Sequence, residues 1–160
     1  SIVTNIKKAK DNILNWKYKK FRYNSLIWTN TFISKRVINL LYNYDFIIVL
    51  SDKKEIITIN KIIYHHYLLL NFNIKNSEID NLAIEDLKAF FLTSLLFNKN
   101  INFAITTINK LIEAQIDKNG FHKSYNSQKQ AEFINHLFGL SVHMLKKAIF
   151  LQLNPSLMNS

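Results

Sequence analysis

Between Gln115 and Ser127 the chain reads QIDKNGFHKSYNS, and Gly120 within it is one of only two glycines in 160 residues. His122, Ser124, Tyr125 and Asn126 follow within six positions. An imidazole titrates near neutral pH and can move a proton. The hydroxyl and amide groups beside it supply hydrogen-bond donors, and the phenol adds a ring face and a weak acid. Gly120 can adopt a positive φ and close the preceding helix. Ser127 and Gln130 stand at capping-box spacing, which predicts a new helix from Gln128. The exposed N–H groups of such a helix start favour an anion. The stretch therefore has the makings of an anion site with a proton-transfer group beside it. The plainer alternative is a well-capped connection between two helices, with Asn126 and Ser127 satisfying backbone groups.

Other constellations are weaker. His65 and His66 are adjacent, so on a helix they point to different sides and do not share a metal. Glu132 and His136 are four apart, with His143 beyond, but no third ligand joins them. The absence of cysteine excludes disulfides and thiolate metal sites. No metal or other cofactor is invoked. Trp16, Tyr18, Phe21, Tyr23 and Trp28 lie among lysines and an arginine. That interleaving suits stacking on sugars or bases, and equally suits a helix covered by the stems of its lysines. No phosphate-binding glycine loop, nucleophile elbow or pair of catalytic carboxylates is present.

The elements that must position these residues are helical. Hydrophobic residues make up 48% of the chain, enough for a core, while two glycines and one proline are too few for a turn-rich β fold. Residues 1–27 read as a basic and aromatic segment, a short helix followed by a loop. Residues 28–160 read as successive helices joined by short loops. Ile33, Val37, Leu40, Leu41, Tyr44 and Ile48 keep a helical period. Asp52 and Glu55 cap a second helix to about Phe72, apolar on most sides and therefore buried. Ser77 with Asp80 caps a third helix, Leu82–Phe97. A fourth runs Ile101–Ile116, a fifth starts at Gln128 and stops near Gly139, and a sixth covers Val142–Leu153, ended by Pro155. A bundle, a helical solenoid and an (α/α) toroid all fit this pattern. No apolar run reaches the roughly 18 residues of a membrane span. The net charge is +10, and seven basic residues against one acidic residue precede Tyr23. A basic arm of this kind binds nucleic acid, acidic polysaccharide or a membrane surface, although the general abundance of Lys, Asn and Ile also accounts for it. No signal sequence is visible, and the compartment stays open.

Three segments in order resemble the α-helical domain of the heparinase II/III-like proteins, a family of polysaccharide lyases and relatives. WTNTFISKRVINLL, Trp28 to Leu41, is similar to the family's Trp, Ser-x-Arg and Asn-containing helix, with Trp28, Ser34, Arg36 and Asn39 in place. NLAIEDLKAFFLTSLLF, Asn81 to Phe97, resembles a second family helix. The opening stretch resembles the family's glycine-histidine turn, with Gln115, Ile116, Gly120, His122 and Asn126 matching. The resemblance covers about residues 16–140. It implies an all-α chain forming an incomplete (α/α) toroid of antiparallel helix pairs. It also implies a longer protein that continues into further helices and a C-terminal β-sandwich.

The chemistry the resemblance implies is β-elimination at a uronic-acid unit of an acidic polysaccharide. The proton beside the sugar carboxylate is acidic only when that carboxylate is neutralised, and an acid must protonate the departing oxygen. On this reading Asn81 and Asn126 hold or neutralise the carboxylate, His122 and Tyr125 handle protons, and Arg36 and Trp28 edge the groove. Leu82, Lys129 and Gln130 stand where the family's studied lyases carry His, Tyr and His, so His122 and Tyr125 are the candidates to substitute for them. The rival reading is a non-catalytic helical module that binds nucleic acid or an anionic envelope component through its basic N-terminus.

Overall fold

The computed structural model describes residues 2–19, 29–124 and 126–153. Among them are seven α-helices: α1 Ile2–Lys19, α2 Asn30–Tyr42, α3 Tyr44–Val49, α4 Lys53–Lys75, α5 Ile84–Phe97, α6 Ile101–Gln115 and α7 Ser127–Leu153, with one 3₁₀ turn at Ile79–Asn81. No strand occurs among the described residues; an isolated antiparallel bridge joins Ile116 to His122. The all-α expectation therefore holds.

Helix α5 is the hub and packs against α2, α4, α6 and α7. Every residue from Asp86 to Ser94 is buried, so the helix shows no one-sided apolar stripe. Around it Ile33, Val37, Tyr67, Leu70, Phe90, Phe91, Ala104, Leu111 and Phe133 form the main core. A smaller cluster of Ile47, Ile59 and Ile63, with Ile13 and Leu14 packed on it, lies where α1, α3 and α4 meet. Lys10 ties α1 there. Its ammonium donates to the Leu50 carbonyl at 2.7 Å and to Glu55 Oε2 at 2.8 Å.

Local signals explain most boundaries. Asp52 accepts from the Glu55 N–H while Glu55 accepts from the Asp52 N–H, the reciprocal box that the sequence predicts. Asn98 and Asn100 both take left-handed backbone, φ 52° and 54°, which turns the chain sharply between α5 and α6. Three boundaries differ from the sequence expectation. The helical period from Ile33 to Ile48 is broken at Asn43, which ends α2 and starts α3. Ser77 does not cap the next helix: its hydroxyl donates to the Asn73 carbonyl at 2.8 Å, and α5 begins only at Ile84. Gly139 does not stop a helix, because α7 runs straight through it.

The reason for Gly139 lies in α5. A Cβ there would stand 2.6 Å from Lys88 Nζ and 3.4 Å from the Tyr42 hydroxyl. The glycine is a notch that lets the buried Lys88 reach across the junction of α2, α5 and α7. Its ammonium sits 5.3 Å from the centre of the Tyr42 ring, a distance at which a cation is attracted by the ring face.

Candidate functional site

The Gly120 loop is built from the end of α6 outward. Gly120 has φ +83°, and its N–H donates to the Asp117 carbonyl at 3.0 Å. The Asp117 carboxylate accepts the N–H groups of Asn119 at 2.8 Å and Phe121 at 3.0 Å. The Asp117 N–H donates to the Phe121 carbonyl and the Lys123 N–H to the Gln115 carbonyl, both at 2.8 Å. The loop thus closes as a miniature hairpin on the Ile116–His122 bridge.

Helix α7 locks it from the other side. Gln130 accepts the His122 N–H through Oε1 and donates from Nε2 to the Gly120 carbonyl at 3.2 Å. Gln130 is therefore a clasp across the loop, and the expected capping box with Ser127 is not formed. The cap is Asn126, whose Oδ1 accepts the Lys129 N–H at 3.1 Å. That use of its oxygen leaves Nδ2 as the donor of the Asn126 side chain.

His122 is half-buried, with its ring edge-on to Phe133 at 5.9 Å between centroids. The Ser124 N–H donates to His122 Nδ1 at 3.1 Å, and the Ser124 hydroxyl lies 2.8 Å from the same atom. A backbone N–H can only donate, so Nδ1 is the acceptor and the neutral ring carries its proton on Nε2. In this arrangement His122 offers a donor through Nε2.

The surroundings are basic. Lys118, Lys123 and Lys129 are exposed around the loop, while its one carboxylate, Asp117, is engaged with backbone N–H groups. Phe121 projects with 57% of its surface exposed. Sequence reasoning missed Phe121 and read Gln130 as a capping residue instead of a clasp on the loop. The signal for Phe121 was an aromatic residue directly before the histidine of a tight glycine turn. For Gln130 there was none, because its role depends on where α7 crosses the loop.

Asn81, at the end of the 3₁₀ turn, is exposed, and its amide lies 3.5 Å from Glu78 Oε2. The turn packs on α6. Gln115 bridges the two segments, donating from Nε2 to the Leu82 carbonyl at 3.3 Å. Asn81 and the His122 loop therefore hang from the same residue. The first segment joins the second elsewhere: the Ser34 hydroxyl donates to Asp86 Oδ1 at 2.5 Å, fully buried.

Arg36 is placed differently. It lines a cavity of about 620 Å³ bounded by α1, α2, α3 and α4, together with His66. Asn81, His122 and Asn126 do not line that cavity, so the structure does not bring Arg36 to the loop. Tyr125 and Trp28 lie outside the described residues, as do the side chains of Trp16, Tyr18, Phe21 and Tyr23.

No protein-family model, curated protein or solved structure matches the chain.

Proposed function

We propose that this chain is the helical, toroid-type domain of a heparinase II/III-like protein and that the Gly120 loop holds an acidic, uronate-containing polysaccharide. The observation that carries the reading is the fixed donor set at the start of α7. Ser124 holds the His122 proton on Nε2, Asn126 presents Nδ2, and Lys118, Lys123 and Lys129 are exposed on the same stretch of chain, Lys123 donating to the Glu113 carbonyl at 3.1 Å. Such a set is complementary to a sugar carboxylate, and the exposed Phe121 ring beside it suits the apolar face of a pyranose.

The chemistry follows from the tautomer. With Nδ1 accepting from Ser124, the neutral His122 donates a hydrogen bond from Nε2 to a sugar carboxylate or a glycosidic oxygen; giving that proton away would leave an imidazolate, so full transfer to the departing oxygen falls to another group. It is not poised to take a proton at that atom. The base of a β-elimination falls to Tyr125 or to a residue of the longer protein. Asn81, tethered through Gln115, serves as a second carboxylate contact.

The test is binding to heparan sulfate, alginate and hyaluronan, read together with ultraviolet absorbance of an unsaturated uronate product in the full-length protein. The expected result is saturable binding that His122→Ala weakens by roughly tenfold or more, the size of one hydrogen bond to a charged group. Unchanged binding in a folded His122→Ala variant would sink the assignment. The rival, a nucleic-acid module on the basic N-terminus, is weakened by Lys10, which turns inward to Glu55. It would show a steep salt dependence and indifference to His122.

A further inference from the structure

The junction of α2, α5 and α7 holds a buried cation without a carboxylate. Lys88 stands in the middle of α5 and is only 6% exposed. Its Nζ ends against the backbone of α7, 2.6 Å from where a Cβ on Gly139 would stand. The Tyr42 ring is its one attractive partner among the described residues. The carboxylates of these three helices are Glu85, Asp86 and Glu132. None of them forms an ion pair or hydrogen bond with Lys88. Asp86 accepts the Ser34 hydroxyl, and Glu132, exposed on α7, accepts the Gln128 amide at 3.0 Å.

His136 is the second observation. It lies one turn before Gly139, on the same face of α7. Its Nδ1 is buried and has no hydrogen-bond partner. Burial and the Lys88 charge both hold its pKa below the ordinary value. At neutral pH the ring is therefore uncharged and can carry its one proton on Nδ1 as a donor. An unpaired buried charge and an unpaired buried polar atom are both costly, and folds satisfy such groups with protein, water or a bound ion. An ammonium and an N–H are both donors, so the partner that suits them is an acceptor. The uncompensated positive charge favours one that is negative. Phe133 and Leu140, on the turns of α7 before and after His136, are buried, so the space suits only a small ion.

We propose that the junction of α5 and α7 binds a small monovalent anion of halide size, held by the Lys88 ammonium and the His136 Nδ1–H. The ion ties α7 to α5. This site does not rest on the glycan reading.

The test is chloride-35 magnetic resonance of the chain, in which exchange with a protein site broadens the chloride line. The thermal midpoint is read beside it, in sodium chloride and in sodium methanesulfonate of equal ionic strength. Saturable broadening and a higher midpoint in chloride are expected, because an ion that binds only the folded state stabilises it. Lys88→Met keeps the length of the stem, removes the charge, and should abolish both effects. His136→Phe should weaken chloride binding by roughly tenfold or more, the size of one hydrogen bond to a charged group. That variant carries the test should Lys88→Met fail to fold. No saturable broadening by the unmodified chain, the result expected if water fills the junction, would overturn the proposal. So would broadening that survives in folded Lys88→Met, which would place the ion on surface lysines, or unchanged chloride affinity in His136→Phe.

Discussion

At the scale of single residues, the chain uses polar side chains as joints between segments distant in sequence. Asp86 is the clearest case. Its carboxylate accepts the Ser34 hydroxyl from α2 and the Ala83 N–H at the start of its own helix. Burial still wins over these bonds and raises its pKa above the ordinary carboxylate value. The ionised form is therefore disfavoured in the folded state, and Asp86 adds stability as pH falls through its folded pKa. Removing the Ser34 hydroxyl leaves a buried acceptor short of a partner. Ser34→Ala is expected to cost about 1–3 kcal/mol at neutral pH, read from the midpoint of urea unfolding. Adding Asp86→Asn to it should recover part of the loss, since the amide carries no charge to bury. A double variant no more stable than Ser34→Ala would contradict this account.

At the scale of elements, the informative failures are at helix ends. Gly139 has the composition of a stop, and its true role is steric. The chain continues as helix because α7 packs against α5 across that point, and tertiary packing outweighs a propensity cost of about 1 kcal/mol for a glycine. The notch admits Lys88, only 6% exposed, over the Tyr42 ring. Burial and then the Lys88 charge hold His136, on the same helix, below its ordinary pKa. A larger side chain at 139 must evict that ammonium. Gly139→Leu is expected to lower the thermal midpoint, with an overpacking cost of about 1–3 kcal/mol. A scanning calorimeter showing an unchanged or higher midpoint would mean that α7 has room to move away. Gln130 teaches the same lesson at the other end of α7. A capping-box spacing was present, yet the side chain reaches the loop instead of its own helix start.

At the scale of the whole molecule, acid sensitivity should originate at His66. Its pKa falls from 6.5 to about 4 on folding, first by burial, with the nearby Arg36 and His65 charges adding to it. The sign is that of a base whose neutral form is favoured in the fold. Above 6.5 neither state is protonated and the group is silent. Between 6.5 and about 4 the unfolded chain binds a proton that the folded chain refuses, so stability drops as pH falls. The full loss is on the order of 3 kcal/mol. Glu55 adds to it in the same direction, because its hydrogen bond with Lys10 depresses its pKa and is lost on protonation. Opposing this, Asp86 stabilises on protonation. A His66→Phe variant is expected to flatten the stability profile between pH 6.5 and 4, measured by chemical denaturation at several pH values. A slope identical to that of the parent would place the acid sensitivity elsewhere.

What the sequence by itself determined is local. Helical periods, the Asp52–Glu55 box and the glycine turn before His122 depend on residues within a few positions of one another, so spacing alone reveals them. The opposite orientations of His65 and His66 were legible for the same reason. Only the tertiary structure decided that Arg36 faces a cavity with His66, that Gln130 clasps the loop, that Gln115 ties Asn81 to it, and that Gly139 makes way for a lysine from α5. Each of these joins positions between 8 and 51 residues apart. Their energies come from burial and from pairing across helices, and neither quantity exists until the helices are packed.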